Sequence, residues 1–520
     1  MPAPRNSAPE DQVVQGPGQL RIHGSILLCD NRAVLDLLGR RRPAVIVWGL
    51  IAAAAAALRL IRLNHFSYWL DEILETFVIR YDWAGLWRTL SVSWSGLNAP
   101  LDFVALKLLE SLHPSDAIRR LPAVAWGVGC VVMLGFLVVR RAGRFAGWSA
   151  AGLLALAPYH VRYSQEVRHY SLGLFLLAAS LFLLEASLES PAPYRILLLF
   201  AACTATIYTL YVAGLLLAMV AAAMVLEDAF DADARRRATA RRFLLWSPVF
   251  AVAVAIAYGP WWPAFVRALR SAPLSSPPGF RAERAARLIS YFGFAASDWT
   301  PLGIAGTFFL TLALIGAIHA CRTHRLRFLL VWAVGGLAVI EILEQRKPTY
   351  DSIFHWLPAG LGLTAVAGVA VGKLIASRHF RALGIAVVAL AIAFDARSLA
   401  TYFREGRPDW RPLAAFLRGT PAAETIFTAN QYTQICLAYY VVGPDWLCCR
   451  REGQRAIVSV DGDAARLEPV WDRRRDAWLA VPGGPAFGRL LVWSAAYPST
   501  RFPTAEGEGG VLLRRLTAER

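Results

Sequence analysis

Cysteine and lysine are both scarce in this sequence of 520 residues. The seven cysteines have no spacing typical of a metal site. Only three lysines stand against 51 arginines, a ratio that reflects codon bias more than chemistry. The first 42 residues lack the short apolar region and cleavage site of a signal peptide, so we interpret residues 1–42 as a retained cytoplasmic tail.

Nucleic-acid binding is also not expected, although the net charge is +17. No RNA- or DNA-binding motif accompanies the charge. The arginines instead cluster between apolar blocks, as they do in membrane proteins whose orientation they set. We therefore expect no nucleic-acid partner.

Long apolar blocks dominate the chain, which is 56% hydrophobic with a mean hydropathy of +0.43. Blocks of about 20 residues are long enough to cross a bilayer as helices. The pattern predicts eleven spans, near 43–61, 122–139, 146–162, 171–188, 195–208, 210–227, 243–262, 300–319, 327–343, 353–372 and 381–396.

The distribution of arginine between these spans predicts the orientation. With the N-terminus inside, the cytoplasmic loops are short and nearly all basic, for example "RRAGR" at 140–144 and "DADARRRATARR" at 231–242. The opposite orientation, with the N-terminus outside, would place longer segments of mixed charge in the cytoplasm. We therefore predict a mainly α polytopic membrane protein with its N-terminus in, its C-terminus out and a transmembrane domain at 43–396.

The region 397–520 changes character and predicts a small extracytoplasmic α/β domain. It contains the helix-like stretch "PDWRPLAAFLRGT", followed by the strand-like stretches "TIFTAN", "CLAYYVV", "RAIVSV", "RLLVWSAAY" and "GGVLLRRL". No motif for chemistry appears in this region, so we expect it to serve recognition or support. If it lies outside, Cys436 could pair with Cys448 or Cys449 in a structural disulfide, and the sequence leaves this open.

The first outer segment, 62–121, contains the adjacent acids Asp71 and Glu72 within "SYWLDEILET". The segment is rich in Trp and Tyr, and apolar residues at helical spacing predict helices lying on the membrane surface: Leu101, Val104, Leu108 and Leu112. The acids could simply stabilise a helix start. They could equally be reactive groups, because charge beside lipid is expensive.

Two further outer segments carry ionisable groups at the membrane edge. The second, Tyr159–Phe175, holds Arg162, Glu166, Arg168, His169 and Tyr170, where a salt bridge from Glu166 to Arg162 or Arg168 could merely brace the turn. The third, Glu341–Pro358, supplies further groups that could be interfacial anchors: Arg346, Lys347, Tyr350 and His355. All three segments fall on one predicted side, which favours a shared site.

Taken in order, the motifs of these segments resemble the GT-C membrane glycosyltransferases. The resemblance is to the branch of glycosyltransferase family 39, the protein mannosyltransferases, and of the lipid A aminoarabinose transferase. Trp69-Leu70-Asp71-Glu72 is similar to the family's W-x-D-E, Ser164–Tyr170 to S-x-E-A-R-x-Y with Val167 in place of Ala, and Asp409-Trp410-Arg411 to D-W-R. The chain departs from the family's H-P-P-L at Asn98–Leu101 and from its R-Y at "RKPTY".

The resemblance implies an inverting transfer of sugar from a polyprenyl-phosphate donor to an acceptor hydroxyl on the outer face of a bacterial cytoplasmic membrane. Asp71 is then expected to be the base, with Glu72 orienting the acceptor or nearby helices. Arg168 is expected to hold the lipid phosphate, helped by Tyr170 and by Arg346 or Lys347, with Glu166 orienting Arg168. Supporting positions are His169, Tyr350 and Asp102.

No cofactor is expected. Asp71, Glu72 and Asp102 could cluster around a divalent metal, but nothing in their spacing requires it. Two other classes remain open. A transporter of lipid-linked sugars would place charges near mid-span and contain duplicated halves, and the sequence has no internal repeat. A non-catalytic envelope scaffold would retain its function without Asp71.

Overall fold

The structure is a computed structural model. It describes residues 42–92, 99–112, 114–271, 288, 291–293, 303–346, 353–405, 409–420, 425–444, 456–460, 476–482, 498–502 and 511–516. Residues Ile46–Arg520 belong to one compact unit.

The chain is mainly helical. Its N-terminal half contains α1 Arg42–Leu60, α2 Leu70–Val78, α3 Trp83–Val92, α4 Leu101–Glu110, α5 Asp116–Ala142, α6 Arg144–Leu156, α7 Pro158–Tyr163, α8 Tyr170–Glu189, α9 Pro193–Ile207 and α10 Tyr211–Ala229. Its C-terminal half contains α11 Ala234–Tyr258, α12 Trp262–Ser271, α13 Ile304–Arg322, α14 Arg327–Leu330, α15 Gly336–Arg346, α16 Leu357–Ala376, α17 Arg381–Glu405, α18 Arg411–Arg418 and α19 Gln431–Val441.

Each of the eleven predicted spans coincides with helical structure. Among the described residues, eight helical segments are long and apolar enough to cross a membrane, and α1 and α9 provide two shorter apolar helices. The remaining predicted span, 146–162, is split between α6 and α7 at Ala157 and Pro158. The chain is thus a multi-pass membrane protein, while the count of eleven crossings stays a prediction.

Local sequence explains where several spans begin and end. Ser115 caps α5 by accepting a hydrogen bond from the backbone N–H of Ile118, and Asp233 caps α11 by accepting from Arg235. Gly143 has a φ of +90°, a conformation that L side chains rarely adopt, and it separates α5 from α6. This sharp turn makes the two helices neighbours in the bundle.

Small residues let α6 and α16 approach closely. A side-chain carbon added at Gly368 would lie 2.5 Å from the Cα of Ala150, and one added at Gly372 would lie 2.3 Å from the Cα of Ala146. Both pairs are four residues apart, so one small stripe faces another. Helix α16 is consequently buried along nearly its full length.

The first outer segment forms the helices that the sequence predicts. In α4, Phe103 and Leu106 are buried, whereas Leu108 is 61% exposed and the nearby Leu112 is 74% exposed. Such exposed apolar groups beside the spans suit a membrane surface. That placement of these helices remains a prediction.

The C-terminal region contains a five-stranded sheet. The strands are β1 Thr425–Thr428, β2 Ile457–Ser459, β3 Ala477–Pro482, β4 Ser499–Phe502 and β5 Val511–Leu516, in the order β2-β1-β3-β5-β4. Strand β1 pairs in parallel with β2 and β3, whereas β5 is antiparallel to β3 and β4. The α/β character predicted for this region is confirmed.

One strand prediction in this region is wrong. The stretch "CLAYYVV" belongs to helix α19, which Asn430 caps by accepting a hydrogen bond from the backbone N–H of Thr433 at 2.8 Å. A continuous apolar run has no period to distinguish strand from helix, and the capping residue decides. The predicted strand "RLLVWSAAY" lies outside the described residues, as do Cys448 and Cys449, so the pairing of Cys436 stays a prediction.

The sheet and its helices pack on the first outer segment. One apolar cluster joins Tyr68, Ile73 and Phe103 to Trp410 and Leu437. Trp410 donates its backbone N–H to the Ser67 hydroxyl at 3.0 Å, and Tyr68 donates its backbone N–H to the Tyr440 phenol oxygen at 2.5 Å. The chain immediately before α2 is therefore held by the C-terminal region.

A charged network joins the spans to one another at the ends opposite the first outer segment. Arg141 pairs with Asp228 at 2.9 Å and also contacts Glu185, and Arg236 lies 2.7 Å from each of these carboxylates. Arg325 adds a contact of 3.1 Å to Glu185. Both carboxylates are fully buried, so the arginines compensate charges that lipid could not solvate.

Candidate active site

Helix α2 presents the two adjacent acids to different surroundings. The Asp71 side chain is 27% exposed, whereas Glu72 is completely buried. Neighbours in a helix are about 100° apart, so Glu72 points into the protein when Asp71 points out. The pair that the sequence singles out is therefore one accessible acid and one enclosed acid.

Both carboxylate oxygens of Glu72 accept hydrogen bonds from the protein. Arg120 donates through Nε to Oε1 at 3.1 Å and through Nη2 to Oε2 at 3.0 Å. The backbone N–H of Val167 adds a bond of 2.9 Å to Oε1. Arg120 also donates to the backbone oxygens of Leu63 and Phe66, so this ion pair fastens α2 to α5 and to the loop after α1.

Arg168 lies against the same helix, one turn along. Its Nη1 donates to Glu75 Oε2 at 2.7 Å, its Nη2 lies 3.6 Å from Asp71 Oδ2, and Nη2 also donates to the Tyr170 phenol oxygen at 3.2 Å. Its buried Nε–H has no hydrogen-bond partner among the described residues.

A third carboxyl group comes from α4. Asp102 contributes to the electrostatic surroundings of Glu75, and both side chains are buried. The backbone N–H of Leu101 donates to the carbonyl of Tyr208 at 2.9 Å, which fixes the start of α4 against the spans. Asp71, Glu75, Asp102 and Arg168 therefore form one charged cluster.

The third outer segment reaches this cluster through aromatic rings. The ring of Phe354 stacks on that of Tyr170 with centroids 4.9 Å apart, and His355 contributes to the electrostatic surroundings of His169. Arg346 ends helix α15, and its side chain is outside the described part of the chain, as are Lys347 and Tyr350. The structure thus brings together parts of all three outer segments.

Glu166 is buried beside this cluster, and its carboxylate lies 3.8 Å from Arg162 Nε. The carboxylates that contact Arg168 are those of Glu75 and Asp71. The bracing pair that the sequence left open is therefore present at Arg162. Both of these acids come from α2, and the orienting role of Glu166 stays a prediction.

Burial dominates the electrostatics of these groups. It raises the pKa of Asp71, against the opposing charge of Arg168, and it raises the pKa of Glu75 well above the usual range. It likewise raises the pKa of Asp102. Burial, followed by the charges of Arg168 and His355, lowers the pKa of His169 well below its usual range, which favours the neutral imidazole.

Glu75 and Arg120 are residues that the sequence analysis missed. Glu75 follows Asp71 by four positions, so helical periodicity places both on one face. Arg120 stands beside Arg119 at the predicted outer end of a span. The excess of basic residues on the cytoplasmic side of membrane proteins does not explain arginines at that end. Both signals were present in the sequence.

The cluster contains an arginine among its carboxylates. Among the described residues, no group of three or more His, Cys, Asp or Glu side chains could hold a metal ion. The Arg168 guanidinium lies between Asp71 and Glu75, so a fixed positive charge already occupies the space between these two carboxylates.

Comparison with known proteins identifies the fold. Neither a protein-family model nor a curated protein sequence matches the chain. Two crystal structures of ArnT from Cupriavidus metallidurans are similar to it at 14% identity: the complex with undecaprenyl phosphate, with a TM-score of 0.51 over 90% of this chain and 98% of ArnT, and the apo state, with a TM-score of 0.53 over 90% and 97%.

The structure of the Archaeoglobus fulgidus oligosaccharyltransferase in complex with Zn and sulfate is also similar. It has a TM-score of 0.50 at 11% identity and covers 84% of this chain and 68% of the oligosaccharyltransferase. ArnT and this enzyme are both GT-C membrane glycosyltransferases. The chain described here therefore has the GT-C fold, as its sequence motifs predict.

Proposed function

We propose that this protein transfers a sugar from a polyprenyl-phosphate donor to an acceptor hydroxyl at the outer face of the membrane, with inversion. The observation that carries the proposal is the pairing of Asp71 with Arg168 at 3.6 Å within a GT-C fold. A partly exposed carboxylate suits an acceptor hydroxyl, and the guanidinium beside it suits a phosphate. That ArnT was crystallised with undecaprenyl phosphate supports this class of donor.

In this proposal Asp71 is the general base. The acceptor oxygen forms a bond to the anomeric carbon while its proton passes to the Asp71 carboxylate. The bond from the anomeric carbon to the phosphate oxygen breaks, and its electron pair leaves with the phosphate, giving polyprenyl phosphate. Attack from the face opposite the leaving group inverts the anomeric centre.

Arg168 holds the phosphate as its charge develops. The phosphate is offered the Nη2 group beside Asp71, while Tyr170 can donate its phenol hydrogen because its oxygen already accepts from Arg168. Arg346 or Lys347 is proposed as a second cation for the same group. Tyr350 and His169 are proposed to support this end of the site.

Glu72 and Glu166 are proposed to position the site rather than to react. Glu72 is enclosed by Arg120 and the backbone of Val167, which supports a role in orienting α2. Glu166, beside Arg162, braces the loop that carries Arg168. Asp102 supports the cluster through Glu75.

The remaining parts of the proposal concern location and partners. We infer a bacterial cytoplasmic membrane protein with a cytoplasmic tail at 1–42, a catalytic transmembrane domain at 43–396 and an extracytoplasmic domain at 397–520. The acceptor is an envelope glycan, lipid or protein. We propose that no resident metal takes part, because Arg168 supplies the positive charge between the carboxylates.

The test is transfer from radiolabelled polyprenyl-phosphate sugars in membranes that contain equal amounts of each variant. Asp71→Asn and Arg168→Ala are each expected to lower the transfer rate by a factor of about 100 or more, since base and charge stabilisation commonly contribute that much. Glu110→Gln is the matched control, because Glu110 pairs with Arg119 at 2.8 Å in the same outer segment. A chelator is expected to leave the native rate unchanged.

Each result assigns or removes a role. Undiminished transfer by Asp71→Asn would remove Asp71 as the base, and loss of transfer with a chelator would contradict the metal-free mechanism. If the native chain moves sugar across the bilayer without forming a new glycoside, the protein is a transporter. If neither activity occurs with any donor, the scaffold interpretation replaces the transferase.

A further inference from the structure

The loop between α1 and α2, residues 61–69, leads directly into the helix that carries Asp71, and we call it the entry loop. Every backbone carbonyl from Ile61 to Ser67 accepts a hydrogen bond. One of these bonds comes from within the loop, where the N–H of His65 donates to the carbonyl of Arg62 at 2.8 Å. The others come from three side chains that are distant in the sequence: Gln165, Arg120 and Arg411.

Arg62 indicates that outside contacts impose the shape of the entry loop. Its φ is +54°, in the left-handed region that residues with a side chain rarely adopt. Such a conformation persists only where the surrounding structure determines it. The Arg62 guanidinium donates to the carbonyl of Phe403 in α17, and Phe66 packs on Tyr402 of the same helix. The entry loop is therefore held at its edges as well as along its backbone.

Gln165 and Arg120 hold the two ends of the entry loop from inside the protein. Gln165 donates through Nε2 to the carbonyl of Ile61 at 2.8 Å. Arg120, which is paired with Glu72, donates through Nη1 to the carbonyl of Phe66 at 3.0 Å. Both donors are buried, so these bonds are shielded from water.

Arg411 holds the middle of the entry loop from the C-terminal region. Its Nη1 donates to the carbonyl of Asn64 at 2.9 Å, and its Nη2 donates to the carbonyl of His65. Its Nε donates to Asp409 Oδ1 at 2.7 Å, which fixes the plane of the guanidinium. The planar fork of arginine can meet two successive carbonyls while a third nitrogen is anchored, and the single nitrogen of lysine cannot.

We propose that Arg411 is a positioning residue that sets Asp71 in place through the entry loop. Asp71 lies in the first turn of α2, four positions after Ser67, so a displaced loop moves its carboxylate away from the acceptor hydroxyl. Glu75, one turn later, keeps its bond of 2.7 Å to Arg168, so the donor end of the site is held separately. The role of Asp71 as base rests on the proposed function.

Arg411 can be removed without leaving a charge buried and unpaired. Its side chain is 34% exposed, and that of its partner Asp409 is 35% exposed. Water can also reach the exposed residues Asn64 and His65, whose carbonyls Arg411 binds. Removing Arg411 is therefore expected to loosen the entry loop without unfolding the protein.

The first experiment measures kcat and donor KM for purified full-length variants in detergent, with the undecaprenyl-phosphate sugar that the native chain transfers. Arg411→Ala is expected to lower kcat about tenfold and to leave donor KM within about twofold of native, because a small misplacement of a reacting group is costly. Arg411→Lys should lie between the two. Arg404→Ala is the control, since Arg404 bonds only the carbonyl of Ala400 in its own helix. A native kcat in Arg411→Ala, or a donor KM raised as much as kcat falls, would overturn the proposal.

A double variant separates positioning from a general loss of structure. If Arg411 acts through Asp71, Asp71→Asn leaves no base to misplace. Adding Arg411→Ala to Asp71→Asn is then expected to change the residual rate by less than about twofold. Two losses that multiply would mean that Arg411 serves only the stability of the fold.

Backbone hydrogen exchange tests the contacts of Arg411 without any transfer reaction. In Arg411→Ala, peptides covering 61–70 should exchange about tenfold faster than in the native chain, while peptides of α5 should not change. Asp409→Ala removes the anchor of the guanidinium and should give a smaller increase in the same peptides, so it replaces Arg411→Ala if that variant does not fold. Arg404→Ala should match the native chain.

The two readouts also distinguish failure of this proposal from failure of the proposed function. Native exchange over 61–70 in both Arg411→Ala and Asp409→Ala would show that Arg411 does not hold the entry loop. If exchange rises as expected but the native chain transfers no sugar from any donor, Arg411 holds the loop and the assignment of Asp71 as the base of a transferase fails.

Discussion

At the scale of single residues, Asp71 gives the transfer reaction its expected dependence on pH. Burial raises its pKa, so the acid limb of kcat/KM should lie above the usual aspartate value of about 3.9. Transfer needs the ionised carboxylate, so the rate should rise with pH through this pKa and then level off. The measurement is a profile of kcat/KM against pH, which reports groups of the free enzyme.

Replacing Arg168 should shift this pH dependence, because the charge of Arg168 stabilises ionised Asp71. Arg168→Gln should move the acid limb of the residual activity to higher pH by about 1–3 units, the effect of losing an opposite charge at this range. Arg168→Lys keeps the charge and should leave the limb in place. A limb that does not move in Arg168→Gln would contradict a catalytic role for Asp71.

Individual site residues were predictable from sequence only where they belonged to a motif or carried a charge at the predicted edge of the membrane. Asp71 and Arg168 stood in motifs of segments predicted to lie on one side of the membrane, and the structure places them together. Glu75 was passed over because it belongs to none of the motifs. Its role depends on the ion pair with Arg168, which is 93 positions away in the chain, and no sequence period connects the two.

At the scale of elements, α19 positions α2 through one hydrogen bond. Tyr68 donates its backbone N–H to the Tyr440 phenol oxygen, three residues before Asp71. Tyr440→Phe leaves that N–H without its acceptor, which costs about 1–3 kcal/mol where the group is enclosed. We expect a lower midpoint of thermal unfolding and a several-fold fall in kcat, with donor KM nearly unchanged.

Tyr194→Phe is the control for this variant. Its phenol oxygen accepts from Arg195 Nε at 3.0 Å, but it lies at the start of α9 and is 46% exposed. It should change neither the unfolding midpoint nor kcat. If Tyr440→Phe is equally silent, the C-terminal region does not position the base.

Elements with a clear period were predictable, and those without one were not. The spans follow from uninterrupted apolar length, and β1 and β5 follow from alternation between turn residues. Helix α19 was mistaken for a strand because "CLAYYVV" has no period, and the β3 segment "AWLAVP" received no prediction. The Asn430 cap selects the helix in the first case, and pairing with β1 and β5 selects the strand in the second.

At the scale of the whole molecule, buried charge serves different purposes at the two ends of the bundle. At the end away from the site, Glu185 and Asp228 are saturated by Arg141 and Arg236. At the site end, Arg168 contacts the buried Glu75 and also Asp71, whose side chain is 27% exposed. Sequence predicted which loops hold these charges, but only the packed bundle distinguishes a fully buried network from one that includes an accessible acid.

This difference predicts that stability and activity respond oppositely at the two ends. Glu185→Gln leaves three arginines facing a neutral group and should lower the free energy of unfolding by about 3–5 kcal/mol, while transfer per folded molecule stays within about threefold of native. Asp71→Asn should abolish transfer with an unchanged unfolding midpoint. Glu189→Gln is the control, because this acid of the same helix end is 33% exposed and should cost little. Thermal unfolding in detergent, measured beside transfer, decides: a native midpoint in Glu185→Gln would mean that the network is not what holds these helix ends together.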